Sequence, residues 1–312
     1  MIGRALERLA GRATPVLAGG VFVGIAWPSL AHLLRPALVP IVFTVMALAF
    51  LRLEWGAVRD YGRRPGLGIA VLLWLLLACP ALVAGAVRLF DLPPALGIAL
   101  ALAPMTTPIF ASVAIAMLIG LDAPLAVVAL VLTTILVPLT LPWTALSLLG
   151  LDLSVDIAAL MLRLGMLLGG ALVVALALRR LAGDRHLARR AQTIDGLAVL
   201  CFLVFAIAIM DGVGPALAER PHYILLSIAA AFALNIVLQI LGTLCFSWLP
   251  RRQALTIGFL SGNRNLALLL AALADTAEFD VLVFFALGQI PIYVLPALLA
   301  PVYRRLTATT IA

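Results

Sequence analysis

Two stretches decide the fold of this chain: ALAPMTTPIFASV at residues 101–113 and TIGFLSGNRNLAL at residues 256–268. Each is an apolar run interrupted near its centre, the first by Pro104 and Pro108 and the second by two glycines four residues apart. Proline removes a backbone donor from a helix, and glycine permits non-helical backbone angles. Both stretches are therefore predicted to be helices that unwind near their middle.

The rest of the chain is too apolar for a soluble enzyme. Of its 312 residues, 65% are hydrophobic and 11% are charged, whereas soluble domains are about half apolar and a quarter charged. A membrane-spanning helix needs roughly 20 apolar residues. The sequence predicts an all-α membrane protein with ten transmembrane helices, at residues 14–34, 36–53, 66–88, 94–119, 123–147, 157–178, 194–213, 222–247, 253–273 and 279–303.

The arginines orient these spans. All 21 basic residues are arginine, and with 14 acidic residues they give a net charge of +7. If the spans alternate in direction, one side of the membrane receives only Arg35, Arg88 and Arg220. The other side receives Arg4, Arg8, Arg12, Arg52, Arg59, Arg63, Arg64, Arg179, Arg180, Arg185, Arg189, Arg190, Arg251, Arg252, Arg304 and Arg305. Positive residues favour the cytoplasmic side, so both termini are predicted to be cytoplasmic, in a bacterial inner membrane, and nucleic acid is not an expected partner.

The residues before the first apolar run have the charges of a signal peptide. Because no convincing cleavage site follows, the apolar run is interpreted as a retained first helix. Cys79, Cys201 and Cys245 fall inside spans and are interpreted as inert core residues. The sequence contains no zinc-protease, phosphate-loop or nucleophile-elbow motif. We therefore expect no enzyme activity, metal site or cofactor.

The two interrupted helices occupy matching positions in the two halves of the chain. Residues 1–150 and 151–312 each carry five spans, so the halves are predicted to be inverted repeats, with the fourth helix of each one broken. Paired breaks of this kind are a sequence signature of a transporter binding site. The alternative is that the breaks are kinks and that Gly258 and Gly262 permit close helix packing, as their four-residue spacing allows.

Arg264 is the most informative single residue, because it lies about eleven positions into its span. An arginine near the centre of a membrane helix costs roughly 2.5 to 3.5 kcal/mol on insertion scales. It is interpreted as a fixed positive charge that attracts an anionic substrate or replaces a coupling cation. The alternative is that it snorkels or pairs with an acidic residue and only stabilises the helix bundle. Arg163 lies nearer the end of its span and is expected to snorkel.

The other candidate residues are polar side chains inside the core spans. Each could contact substrate or form a hydrogen bond between helices. The substrate-binding candidates are Thr106, Thr107, Ser112, Thr133, Thr134, Asn235, Gln239, Ser261, Asn263, Arg264, Asn265 and Gln289.

At these same segments the sequence resembles the bile acid:sodium symporter family over nearly its full length. The resemblance is carried by IVFTVMALAFLRLEW at residues 41–55, VVALVLTTILVPLTLP at 127–142 and ALTIGFLSGNRNLALLLAAL at 254–273, of which the last is the most specific. The resemblance implies a panel of spans 1, 2, 6 and 7 and a core of spans 3, 4, 5, 8, 9 and 10. It also implies that broken helices 4 and 9 cross and that alternating access comes from movement of the core against the panel.

The chain departs from that family at the sodium ligands. The positions that align with the family's glutamate and glutamine ligands are Gly258 and Gly262, and its hydroxyl ligands align with Ala126 and Leu130. The family's Ser-Asn pair aligns with Ser112 and Val113, or with Ile109 and Phe110. A hard cation needs several oxygen ligands. The sequence therefore predicts a transporter of a small organic anion, such as a bile-acid-like compound, another carboxylate or a sulfonate, that is not coupled to sodium, with Arg264 as a tethered cation.

Several alternatives stay open at this point. Coupling could be to protons, with Glu54, Asp195 and Asp211 as carriers, or the protein could exchange substrates or act as a uniporter. An auxin-carrier-like or arsenite-carrier-like exporter has a similar repeat plan, although Cys79 lies on the third span rather than beside a break. A membrane sensor or scaffold that keeps the fold without transport is the alternative from a different class. Besides the anion, membrane lipid is the expected partner.

The charge distribution gives a first testable prediction. A reporter that fluoresces only in the cytoplasm, fused after Ala312, should be active, because most of the arginines flank the same side as the C-terminus. A reporter inserted in the loop that follows Arg88 should be inactive. Activity at both places, or only at the second, would contradict the ten-span orientation.

Overall fold

The structure is a computed structural model that describes residues 6, 13–52, 56, 65–149, 157–273 and 276–308. Within these residues all regular secondary structure is helical, apart from one isolated bridge between Pro108 and Arg264. Seven continuous helices are long and apolar enough to cross a membrane. The prediction of an all-α membrane protein is therefore confirmed, while the arrangement as ten spans in two inverted repeats stays a prediction.

Several of the described helical paths contain single turns of a different helix type. A π-helical turn covers Trp74–Ala78, and 3-10 turns cover Arg35–Ala37 and Ala103–Met105. The α-helices are Ala13–Ala26 (α1), Pro28–Leu34 (α2), Leu38–Leu51 (α3), Pro65–Leu73 (α4), Cys79–Val87 (α5), Pro94–Leu102 (α6), Ser112–Leu118 (α7), Ala123–Leu149 (α8), Ile157–Ala182 (α9), Asp184–Arg189 (α10), Ala191–Ala208 (α11), Val213–Glu219 (α12), Pro221–Cys245 (α13), Arg251–Gly262 (α14), Leu266–Leu273 (α15), Phe279–Leu287 (α16) and Gln289–Ala308 (α17).

Each predicted span coincides with helix to within a few residues, but three of the ten are not long continuous helices. The fourth ends at Met105 and resumes at Ser112, and the ninth is divided between α14 and α15. The first is also divided: the predicted boundary at residue 35 is wrong, because the break falls at Trp27 and the helical path runs on from Pro28 to Leu51. Proline at the first position of a helix explains this, since it lacks the N–H that would continue α1.

The chain divides into two compact units. The first comprises Met1–Leu53 and Gly165–Leu225, and the second comprises Glu54–Leu164 and Leu226–Ala312. The arginines at positions 4, 8, 12, 59, 63 and 64, and Glu54, lie outside the described residues.

In the first unit, α11 packs between α1 and α3. Gly20 and Gly24 of α1 lie against Leu203 and Ile207, so α1 runs parallel to α11. On the other side, ion pairs join Arg52 to Asp195 and Arg35 to Asp211, at 2.9 and 3.2 Å, so α3 runs antiparallel to α11.

These ion pairs bear on the predicted proton carriers. Asp211 also lies 3.3 Å from His32, and Asp195 has a half-exposed side chain beside Arg52. Asp195, near the start of α11, and Asp211, just after its end, are therefore each paired with an arginine. These pairs give both aspartates a structural role.

In the second unit, a buried apolar core surrounds the two broken helices. Its largest contributors include Phe259, Phe284, Phe285, Leu125 and Leu130, each almost completely buried. Helix α6 packs against α16, and α14 packs against α8 and α17. At the two breaks, residues 106–108 and 263–265 are buried, as non-helical backbone inside a membrane requires.

Candidate functional site

The two broken helices meet at their interruptions. The amide of Asn265 donates to the carbonyl of Thr107 at 2.8 Å, and the amide of Ile109 donates to the carbonyl of Asn263 at 2.9 Å. These two bonds form the antiparallel bridge between Pro108 and Arg264. Each unwound segment therefore supplies hydrogen-bond partners for the other, which stabilises two breaks that would be costly alone.

Arg264 lies at the centre of this crossing and is only 2% exposed. Its Nε donates to the carbonyl of Ser261 at 2.8 Å, and its Nη1 donates to the carbonyl of Thr106 at 3.0 Å. In a continuous helix the carbonyl of Ser261 would accept from the amide of Asn265. Because that amide is bonded to Thr107 instead, the Ser261 carbonyl is free to accept from the guanidinium.

Both carbonyls lie at the C-terminal end of a half-helix. Ser261 belongs to the last turn of α14, and Thr106 directly follows the 3-10 turn that ends the first half of the other broken helix. The C-terminal end of a helix carries a partial negative charge of about half an elementary charge. Arg264 thus occupies a position that suits a cation, and it is bound through backbone oxygens rather than carboxylates.

No acidic residue neutralises this charge in the part of the chain that the structure describes. None of the ion pairs found there includes Arg264, and it is the one charged side chain in those residues that is buried. The predicted alternative that Arg264 pairs with an inward-facing acid is therefore wrong for these residues. The side chain is buried and bonded to backbone oxygens, so it does not extend to the surface of the protein.

At Gly258 and Gly262, which align with sodium ligands of the resembled family, the space that a side chain would need is occupied by a neighbouring helix. A Cβ at Gly258 would lie 2.1 Å from Oγ1 of Thr243, and one at Gly262 would lie 2.3 Å from the carbonyl oxygen of Asn235. Helix α13 therefore approaches α14 so closely that neither position could carry a ligand side chain. Ala126 and Leu130, the other two positions that align with ligands of the resembled family, are also buried.

A chain of hydrogen bonds fixes α13 to this break. The hydroxyl of Tyr303 donates to Oε1 of Gln239, and Nε2 of Gln239 donates to Oδ1 of Asn235. Nδ2 of Asn235 then donates to the carbonyl of Gly262 at 2.9 Å. Asn235 and Gln239, both predicted from their spacing, therefore satisfy an orphan carbonyl at the end of α14.

The third span contributes two residues that sequence reasoning missed as site residues. Nε1 of Trp74 donates to Oγ of Ser261 at 2.8 Å, and the buried thiol of Cys79 lies beside Arg264 and Ser261. The interpretation of Cys79 as remote from a break is therefore wrong. A π-helical turn at Trp74–Ala78 precedes Cys79 in the chain, and nothing in its apolar sequence WLLLA marks such a turn.

The remaining cysteines also differ from prediction. Cys245 is exposed and Cys201 is half-buried, so neither is a core residue.

The other predicted residues divide into two groups. Near the crossing, Asn263 donates to the carbonyl of Phe259, and Oδ1 of Asn265 accepts from the amide of Leu268 in the first turn of α15. The hydroxyls of Thr106 and Thr107 donate to the nearby carbonyls of Ala103 and Pro108. The backbone carbonyls of the same two threonines accept from Arg264 and Asn265.

In the second group, no side chain forms a hydrogen bond to the crossing among the residues that the structure describes. Thr133 and Thr134 donate to carbonyls one turn earlier in their own helix α8. Ser112 and Gln289 are buried, and Oγ of Ser112 and Nε2 of Gln289 have no hydrogen-bond partner among the described residues.

A small cavity adjoins the crossing. Its volume is about 20 Å³, and its polar boundary is formed by Arg264, Asn235 and Gly262. The rest of its wall is apolar, with Leu234, Leu238, Phe284 and Ile292 among the lining residues. Sites for small organic molecules are usually cavities of several hundred Å³, so this cavity is far smaller than such a site.

No family model matches the chain, and a comparison with curated proteins finds no match.

The packing at Gly258 gives a prediction. Gly258→Ala should lower the free energy of unfolding by about 1–3 kcal/mol, because the new methyl group would collide with Thr243 and with the carbonyl of Gln239. The measurement is thermal unfolding of the purified protein in detergent.

Gly85→Ala is the matched control, since a Cβ there meets no atom within 4 Å. It should leave stability unchanged or raise it slightly. Equal effects of the two substitutions would contradict the close approach of α13 to α14.

Proposed function

We propose that this protein is a secondary transporter of a small organic anion, such as a carboxylate or sulfonate, that works by alternating access and is not coupled to sodium. The observation that carries the proposal is Arg264, a buried cation without an acidic partner among the described residues, placed where two broken helices meet. A charged residue is expensive at membrane depth and usually marks a substrate or ion pathway.

The sign of the charge selects the substrate class. A fixed guanidinium binds carboxylates and related anions through paired N–H donors. Its Nη2 has no hydrogen-bond partner among the described residues, so part of its donor capacity is available to a ligand. An organic cation would be repelled by the same charge.

The surroundings of Arg264 also support independence from sodium. In transporters with broken helices, free carbonyls and half-helix C-terminal ends coordinate the coupling cation. Here the carbonyls of Ser261 and Thr106 are bonded to Arg264 instead. The tight packing at Gly258 and Gly262 leaves no room for further oxygen ligands from those positions.

The two compact units support the mechanism. The unit containing Met1–Leu53 and Gly165–Leu225 includes most of the predicted panel spans, and the other unit contains both broken helices. Alternating access requires one group of helices to move as a body against another. A chain whose contacts separate in this way is suited to such movement.

The small cavity favours a second candidate, a sensor or scaffold that keeps the fold without transport. Its volume of about 20 Å³ is far below what an organic anion occupies. A transporter must open this region in another conformation, whereas a scaffold need never do so. Ligand binding therefore separates the two functions.

The test is a thermal-shift screen of the purified protein with bile acids, keto acids and sulfonates. At a concentration about 100 times its Kd, a ligand stabilises the folded protein by about 2.7 kcal/mol. At least one anion should therefore raise the Tm by several degrees, and this shift should be lost in Arg264→Ala and Arg264→Gln.

Arg163→Ala is the control, because Arg163 is a half-buried arginine of α9 and lies outside both broken helices. It should keep the full ligand-induced shift. Equal loss in the Arg163 and Arg264 variants would indicate a structural role for both, and no shift with any anion would favour the scaffold.

A further inference from the structure

The guanidinium of Arg264 has one nitrogen, Nη2, with no hydrogen-bond partner among the described residues. Each such nitrogen carries two N–H donors, and leaving a charged donor unsatisfied in a buried place costs more than leaving a neutral one. Arg264 also forms part of the wall of the cavity of about 20 Å³. An unsatisfied charged donor and an adjoining cavity together indicate a binding site.

The size of the cavity limits what could occupy it. About 10–15 Å³ of such space is enough for one water molecule, so about 20 Å³ admits a single small particle. A carboxylate with its carbon chain does not fit, and neither does a sulfonate. The candidates are one water or one monatomic ion.

The chemistry of the wall favours an anion. A cation is excluded because the guanidinium would repel it. A water molecule forms about three hydrogen bonds when buried, but the wall offers few polar groups besides Arg264. Asn235 is already bonded to the carbonyl of Gly262 and to Gln239. The side chains of Leu234, Leu238, Phe284 and Ile292 complete a surface that suits a weakly hydrated anion.

The charge of Arg264 also favours an anion. Two backbone carbonyls accept from it, yet no carboxylate pairs with it in the described part of the chain. The thiol of Cys79 lies beside it, but a protonated thiol brings no charge. A bound anion would supply the missing counter-charge in a low-dielectric site, where such pairing is strong.

We propose that this cavity is a binding site for one monovalent inorganic anion of the chloride and bromide class, held by Nη2 of Arg264 while the crossing is closed. The inference shares Arg264 with the proposed transport function and deepens it: an organic anion that enters the open crossing would displace the halide from the same guanidinium. Halide and substrate would then compete.

The first test measures the Tm of the full-length protein in detergent at constant ionic strength while gluconate is replaced by chloride or bromide. Wild type should show a saturating rise in Tm, equally with sodium and choline as the cation. Arg264→Gln should lose the rise, while Arg163→Gln should keep it. Absence of a saturating halide effect in wild type would overturn the inference.

Cys79→Ala tests the competing source of negative charge, a Cys79 thiolate. The variant should keep the halide effect seen in wild type. If a halide effect appeared only after Cys79 was removed, the thiolate would be the counter-ion and the anion site would be refuted.

A second measurement does not depend on any variant folding. Crystals of the wild-type protein grown in bromide should give an anomalous scattering peak within hydrogen-bonding distance of Nη2 of Arg264. An ordered water only, without anomalous signal, would overturn the inference.

Failure of this inference can be told apart from failure of the proposed function. If halides bind and no organic anion does, the transport proposal fails and the halide site stands. If organic anions bind through Arg264 and halides neither bind nor compete, the halide site fails alone.

Discussion

The binding of Arg264 by two backbone carbonyls is the interaction on which the rest of the second unit depends. A buried guanidinium is costly unless its donors find acceptors, and the carbonyls of Ser261 and Thr106 accept from two of its three nitrogens because both helices are broken there. The breaks in turn depend on each other, since Asn265 and Ile109 complete their hydrogen bonds across the crossing. The buried charge of Arg264, the two unwound segments and their crossing therefore depend on one another. A substitution that disturbs one of them is expected to disturb the others.

The small residues of α14 follow from the same arrangement. Gly258 and Gly262 let α13 approach closely enough for Asn235 to satisfy the carbonyl of Gly262. Larger residues would separate the helices and leave that carbonyl without a partner inside the membrane, where the penalty is several kcal/mol. The small size of these two residues is thus tied to the packing of α13 against α14.

Sequence patterns predicted the helical membrane fold, the two breaks and the location of Arg264 inside an interrupted apolar helix, because the effects of proline and glycine on a helix are local and a charge within an apolar run is visible in the sequence. They did not predict the roles of Trp74 and Cys79, since the π-helical turn before Cys79 has an ordinary apolar sequence and its contacts are long-range. Thr106 and Thr107 are candidates from sequence because their side chains are polar, but it is their carbonyls that accept from Arg264 and Asn265. Backbone oxygens are the same in every residue, so the sequence does not indicate which of them serve as ligands.

The central claim is that a tethered arginine replaces the coupling cation in an anion transporter. The most direct measurement is uptake of a radiolabelled organic anion, chosen by its binding, into liposomes that contain the purified protein, with and without an inward sodium gradient. The account predicts uptake at the same rate in both conditions, and no uptake above that of empty liposomes for Arg264→Ala. Uptake that occurs only when a sodium gradient is present would contradict it.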